Sequence, residues 1–194
     1  MQQFIFYLFL VLVACAACQP QAEGDDRPPP IPIPSPDPPS EDELLLRLAG
    51  MMNDDSSRQA QDRNAIVGYA LEHLLDVQAL PSGLVYEVLE PGSADKLAWG
   101  DYVRVNYRGY FLDGTVFADT WQRGEPFEFY VGNMIPAWNE GLTLVGPGGY
   151  LRLLVPSDLG YGADGLEAGS RTLVPPHQIL AFEIEVLEKL PKPE

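Results

Sequence analysis

The residues able to do covalent, redox or metal chemistry are few. The 194-residue chain has two cysteines, Cys15 and Cys18, and two histidines, His73 and His177, far apart in the sequence. Two cysteines do not supply a four-cysteine zinc site, and the separated histidines form no zinc-protease pair. There is no Gly-x-Ser-x-Gly elbow and no phosphate loop. Gly146-Pro147-Gly148-Gly149 lacks the strand-to-helix context of a dinucleotide loop, which argues against nucleotide binding. No metal and no cofactor is expected. Cys15-Ala16-Ala17-Cys18 reads formally as a Cys-x-x-Cys redox motif, but that chemistry needs the first cysteine at a helix start in a βαβ setting. Here the motif closes an apolar run and opens a proline-rich one. Leu12-Val13-Ala14-Cys15 resembles the bacterial lipobox, in which the cysteine is acylated and becomes the mature N-terminus. Cys15 fits better than Cys18, which has a cysteine three positions before it. Lipidation is the favoured reading, a plain signal peptide or uncleaved anchor the second, and redox work the last.

What remains is a set of aromatic residues beside turns: Tyr107, Phe117, Trp121, Phe127, Phe129, Trp138, Tyr161 and Phe182. On composition alone most of them belong to a core. The carboxylates are many but sit on alternating strand faces or in the linker, where charge is ordinarily solvated surface. Twelve Lys and Arg against 28 Asp and Glu give a net charge of −16. A phosphate-binding surface needs the opposite balance, so no nucleic-acid partner is expected.

The elements that must position these residues divide the chain. Residues 1–18 contain an apolar run from Phe4 to Ala17, shorter than the ~20 residues of a bilayer span and suited to a secretory signal. Residues 19–39 form a linker in which Pro28 to Pro39 can be neither helix nor sheet. It is expected to be a stiff polyproline spacer, with a ligand for a proline-reading domain as the alternative. Residues 40–79 predict a helical arm. Ser40 and Glu43 have capping-box spacing, Asn53 to Ser57 break the helix, and a second helix starts near Gln59. Ile66, Ala70 and Leu74, with Val67, Leu71 and Leu75, make an apolar stripe that either packs on the neighbouring domain or pairs two copies of the chain. Residues 80–190 carry strand and turn signals, and residues 191–194 are a tail. Val103, Val105 and Tyr107 alternate with Arg104, Asn106 and Arg108; Asp113-Gly114 marks a hairpin; Leu180, Phe182, Ile184 and Val186 alternate with Glu183 and Glu185.

Ordered motifs in this last segment say more. They are Ser82 to Leu89, Val105-Asn106-Tyr107-Arg108-Gly109-Tyr110, Asp113 to Phe117, Arg123 to Phe129, Ile135 to Leu142, Tyr161-Gly162, Val174-Pro175-Pro176-His177 and Leu180 to Leu187. Each alone is weak. In this order and at nearly these spacings, the segment resembles the FKBP family of peptidyl-prolyl cis–trans isomerases along nearly its whole length. The resemblance implies an α+β fold, a curved antiparallel sheet of five to six strands wrapped on one short helix around Ile135 to Gly141. It also implies an apolar pocket between helix and sheet. Carried over by position, the lining is Tyr107, Phe117, Phe127, Met134, Ile135, Trp138, Tyr161 and Phe182, with Val174 at the rim. Trp138 would be the floor, and the Ile135 N–H and Tyr161 hydroxyl the polar contacts.

The implied activity is isomerisation of X–Pro bonds in proline-containing polypeptides, assisting the folding of exported proteins. Rotation about such a bond breaks no bond, so no nucleophile, metal or acid–base pair is required. The alternative is a non-catalytic chaperone or binding module on the same fold. With the lipobox, the expected location is the periplasmic side of the cell envelope, lipid-anchored to a bacterial membrane. Two departures from the family pattern bear on the pocket. Ala118 stands where the family usually has Asp, which leaves Arg123 without its customary partner, and Asp119 is expected to point elsewhere. The segment Ala163 to Val174 is longer than in compact members of the family.

Overall fold

The computed structural model describes residues 39–192. The apolar start, the lipobox with Cys15 and Cys18, and the proline-rich segment up to Pro38 lie outside the described residues.

Two helices come first. In α1 (Glu41–Ala49) the Ser40 hydroxyl accepts from the Glu43 N–H at 3.3 Å, the N-cap half of the expected capping box. In α2 (Arg58–Glu72) Ser57 caps Ala60 in the same way. The break between them is tied down by Asn64, which accepts from the Asn53 N–H at 2.9 Å and donates to its carbonyl at 2.7 Å. The stripe differs from expectation at one position. Ile66, Val67 and Ala70 are fully buried, but Leu74 is exposed, because α2 ends before it and Leu74 adopts a positive φ of 51°. That turn brings Leu75 back onto Ala70 through an N–H to carbonyl bond of 2.9 Å.

Nine strands follow: β1 (Gln78–Ala79), β2 (Val85–Glu90), β3 (Tyr102–Tyr110), β4 (Val116–Asp119), β5 (Phe127–Tyr130), β6 (Tyr150–Val155), β7 (Leu166–Ala168), β8 (Arg171–Val174) and β9 (Leu180–Leu190). Seven make one antiparallel sheet in the order β1-β2-β6-β9-β3-β4, with β5 also paired to β3. The antiparallel sheet on a short helix is as the resemblance implies. One strand beyond the expected five to six arises because Gln78 and Ala79, at the end of the expected arm, pair with Tyr86 and Val85 at the sheet edge. The β3–β4 hairpin closes at Asp113-Gly114. Gly114 takes φ +86°, a conformation that favours a residue without Cβ, and Asp113 accepts from the Thr115 N–H at 2.8 Å. The segment expected only as a longer loop folds into a second hairpin, β7–β8.

Period-two alternation gives the sheet two apolar faces. On β9, Leu180, Phe182, Ile184 and Val186 point to one side and Ala181 to the other, all buried. The first side, with Val103, Val105, Leu151 and Leu153, covers the helix α4 (Pro136–Gly141). The second side, through Val85, Leu154 and Ala181, receives Leu44 and Leu48 of α1 and Ile66, Val67 and Ala70 of α2. Each fully buried leucine or isoleucine there contributes ~1.5–3 kcal/mol over its exposed state. Arg47 of α1 pairs with Asp76 just before the sheet, and Asp62 of α2 reaches the far end of β6, accepting from the Ser157 N–H at 2.8 Å and hydroxyl at 2.6 Å. Among the described residues, no helix is long and apolar enough to cross a membrane.

Candidate active site

The concave side of the sheet is closed below by α4 and open above. Pro136 starts that helix, where its missing N–H costs nothing and its fixed φ suits the first turn. Trp138 follows on the buried face, 2% exposed. Its ring meets Tyr107 of β3 at 4.9 Å and 84°, and Phe182 of β9 at 5.4 Å and 86°, both edge-to-face. Phe117 of β4 stands edge-to-face on Phe182 at 5.8 Å. Gly109 makes this possible. A Cβ there would lie 2.6 Å from the Phe117 ring and 2.9 Å from Phe182, so only glycine lets both rings cross β3.

Three polar devices hold the walls. Asn139 of α4, buried, accepts from the Gly132 and Met134 N–H groups at 2.9 and 3.1 Å and donates to the Met134 carbonyl at 2.6 Å, which fixes the approach to Ile135. Thr120, fully buried, accepts from the Tyr107 N–H at 2.7 Å. Ser157, held by Asp62, accepts at its carbonyl from the Gly162 N–H at 2.9 Å and so anchors the turn that carries Tyr161.

The result is a cavity of ≈ 180 Å³ walled by Tyr107, Phe117, Met134, Ile135, Trp138, Tyr161 and Phe182, together with Ala118, Arg123, Leu166 and Leu173. Two expected positions are not among these lining residues. Phe127 stands on the same sheet face beside Tyr107, stacked on Phe129 at 5.2 Å and meeting Tyr107 edge-on at 6.0 Å. Val174, at the end of β8, is buried in the core, and its neighbour Leu173 lines the cavity instead, as strand alternation requires. Leu166 and Leu173, which sequence reasoning missed, come from β7 and β8. A signal existed in Gly169-Ser170 between two short runs, a turn dipeptide of hairpin type.

The chemistry on offer is apolar enclosure with few polar groups. Ile135 caps the start of α4, and a helix start leaves N–H groups without intrahelical partners. The Tyr161 hydroxyl is pushed above its ordinary pKa by burial and, second, by neighbouring Tyr107. It is a neutral donor at physiological pH. The Trp138 indole N–H is buried without a hydrogen-bond partner among the described residues, enclosed by rings. Asp119 is turned away, as expected: one oxygen caps Gln122 at the start of α3 (Thr120–Arg123) at 3.0 Å, and the other pairs with Arg108 at 2.8 Å. Among the described residues there is no cluster of three or more metal-ligating side chains.

Comparison with known proteins gives the family of the chain. The family model described as FKBP-type peptidyl-prolyl cis-trans isomerase matches residues 94–187. The FKBP-type peptidyl-prolyl cis-trans isomerase FkpA of Escherichia coli (strain K12) is 34% identical over 146 residues, which cover 75% of this chain and 52% of that protein. The FKBP-type 22 kDa peptidyl-prolyl cis-trans isomerase of the same organism is 43% identical over 114 residues, covering 59% and 53%. The crystal structure of FkpA from Escherichia coli superposes with a TM-score of 0.61 at 32% identity, covering 79% of this chain and 75% of that one. The chain spans about half the length of the curated relatives it matches.

Proposed function

Since the chain belongs to the FKBP-type peptidyl-prolyl cis-trans isomerase family, we propose that its pocket catalyses cis–trans isomerisation of X–Pro bonds in polypeptide substrates. The observation that carries this reading is the enclosed aromatic cavity between α4 and the sheet, with Trp138 beneath it. Rotation about an X–Pro amide faces a barrier of ~18–20 kcal/mol because the twisted state loses resonance. The twisted amide has a less polarised carbonyl and a pyramidal nitrogen, so an apolar wall favours it over the planar amide, which water solvates better. A cavity that fits the twisted form lowers the barrier by differential binding, tenfold in rate for each ~1.4 kcal/mol. The proline ring sits over Trp138, the Ile135 N–H and Tyr161 hydroxyl meet the flanking carbonyls, and Tyr107, Phe117, Met134 and Phe182 form the walls.

The division of the chain follows the same reading. Residues 1–18 direct export and supply Cys15 for lipidation, 19–39 space the protein from the membrane, 40–79 form the arm, 80–190 the isomerase domain and 191–194 a tail. The protein then works on exported polypeptides at the periplasmic face of the cell envelope. For the arm we propose packing on its own sheet rather than pairing of two chains, because Ile66, Val67 and Ala70 are already covered. A non-catalytic chaperone on this fold is the second reading, favoured by Ala118 and by the β7–β8 hairpin beside the pocket. Refolding of a protein whose slow phase is set by one cis X–Pro bond separates the two. Catalysis shortens that phase, ~10–100 s unaided, at substoichiometric protein. Unchanged kinetics with suppressed aggregation that survives pocket substitutions would favour the chaperone.

A further inference from the structure

The cavity wall holds a single charged side chain. Ten of its lining residues are aromatic, aliphatic or, at Met134, thioether; the eleventh is Arg123. No carboxylate lines the cavity, and among the described residues no ion pair or hydrogen bond engages the Arg123 guanidinium. Its neighbours explain why. Ala118, facing the same cavity, contributes only a methyl group. Asp119 spends both oxygens, one on Arg108 and one on the N-terminus of α3. Chain reversal at Gly124, with φ +67°, ends α3 and leaves Arg123 exposed at the mouth. A planar guanidinium with five donors and no partner, set against an apolar wall, matches one ligand chemistry above all, a carboxylate.

We propose that Arg123 is a specificity-determining residue, which selects prolyl segments carrying a Glu or Asp side chain next to the proline. The assignment rests on the isomerase reading of the pocket and names the substrate class within it. The net charge of −16 opposes approach of any anionic peptide. At physiological ionic strength, however, charges beyond a Debye length of ~8 Å are largely screened, so the contact at the mouth decides. Glu125, two residues away, is the nearest carboxylate in sequence, and the ion pairs among the described residues do not join it to Arg123.

The test uses the purified protein and two pairs of C-terminally amidated peptides, Ala-Glu-Pro-Phe against Ala-Gln-Pro-Phe and Ala-Ala-Pro-Glu against Ala-Ala-Pro-Gln. Isomerisation is followed by NMR exchange, and binding by tryptophan fluorescence. The Glu member of at least one pair is expected to show a kcat/KM higher by about twofold to fivefold, the size of an exposed ion pair, shrinking as salt is raised. Arg123→Gln should bring the Glu-to-Gln ratio to unity, Arg123→Glu should invert it, and Ala118→Asp should reduce it by giving Arg123 an internal partner. Free-acid versions of the Gln peptides tell a chain-terminal carboxylate from a side-chain one; a preference confined to them would overturn the side-chain assignment. Equal values within both pairs, in rate and in binding, would overturn the proposal while leaving the isomerase reading intact. No turnover of any peptide, with the Glu members still bound more tightly, would refute the isomerase reading and support the role of Arg123.

Discussion

Trp138, Tyr107, Phe182 and Phe117 form one continuous edge-to-face array, so each ring is both wall and support for the next. Tyr161 is the exception, held by its backbone turn and contributing a hydroxyl. Burial favours the neutral form of a phenol, and its pKa is raised above the ordinary value of about 10. A raised pKa for an acid means that the proton stays on through neutral and mildly alkaline pH. The rate on an uncharged proline peptide should therefore be flat between about pH 6 and about pH 9. A titration in that interval that Tyr161→Phe removes would show the hydroxyl ionising, contrary to its burial. Most of these residues were legible because their motifs occur in a fixed order. Phe127 stands on the expected face, beside Tyr107. Val174 was misplaced because alternation shows that neighbours face opposite ways, but not which neighbour faces the cavity. Leu173 rather than Val174 takes that position only because of how β8 docks against β7.

Among the elements, the link from α2 to the pocket is the most informative. Asp62 is 4% exposed and serves two donors of Ser157, whose carbonyl in turn fixes the Tyr161 turn. Asp62→Ala would leave both donors buried without partners, at a cost of about 1–3 kcal/mol. Urea unfolding is expected to show a lowered midpoint of that size, and isomerase activity should fall with it as Tyr161 loses its anchor. Stability equal to that of the unaltered protein would mean that the contact contributes nothing. Nothing in the sequence pairs residues 62 and 157, so this contact was invisible before the fold. The β7–β8 hairpin was hidden for another reason. Glu167, Arg171 and Thr172 are polar and exposed, so the segment lacks the apolar alternation that marks a strand. The helices of the arm, by contrast, were plain from the Ser40–Glu43 spacing and the Ile66–Ala70 spacing, while the Ser57 cap emerged only with the fold. The exception, Leu74, lies beyond the point where α2 unwinds.

At the scale of the whole molecule, one sheet serves two purposes. Its concave face makes the pocket, and its other face takes up the apolar stripe of the arm. With the stripe covered in this way, sedimentation of the intact protein is expected to give a monomer mass. A dimer held through residues 40–79 would reverse the assignment. The proposed lipid anchor is checked by the mass of the mature N-terminus, expected to begin at an acylated Cys15; an unmodified Cys15 on a chain starting at Met1 would exclude it. Neither outcome bears on catalysis. The direct measurement there is NMR exchange between the cis and trans forms of a neutral proline tetrapeptide, with catalytic amounts of protein and of its Phe117→Ala variant. Catalysis in the aromatic cavity predicts exchange far above the uncatalysed ~10–100 s regime for the unaltered protein, and a marked loss for a folded variant. Exchange at the uncatalysed rate with both proteins would contradict it.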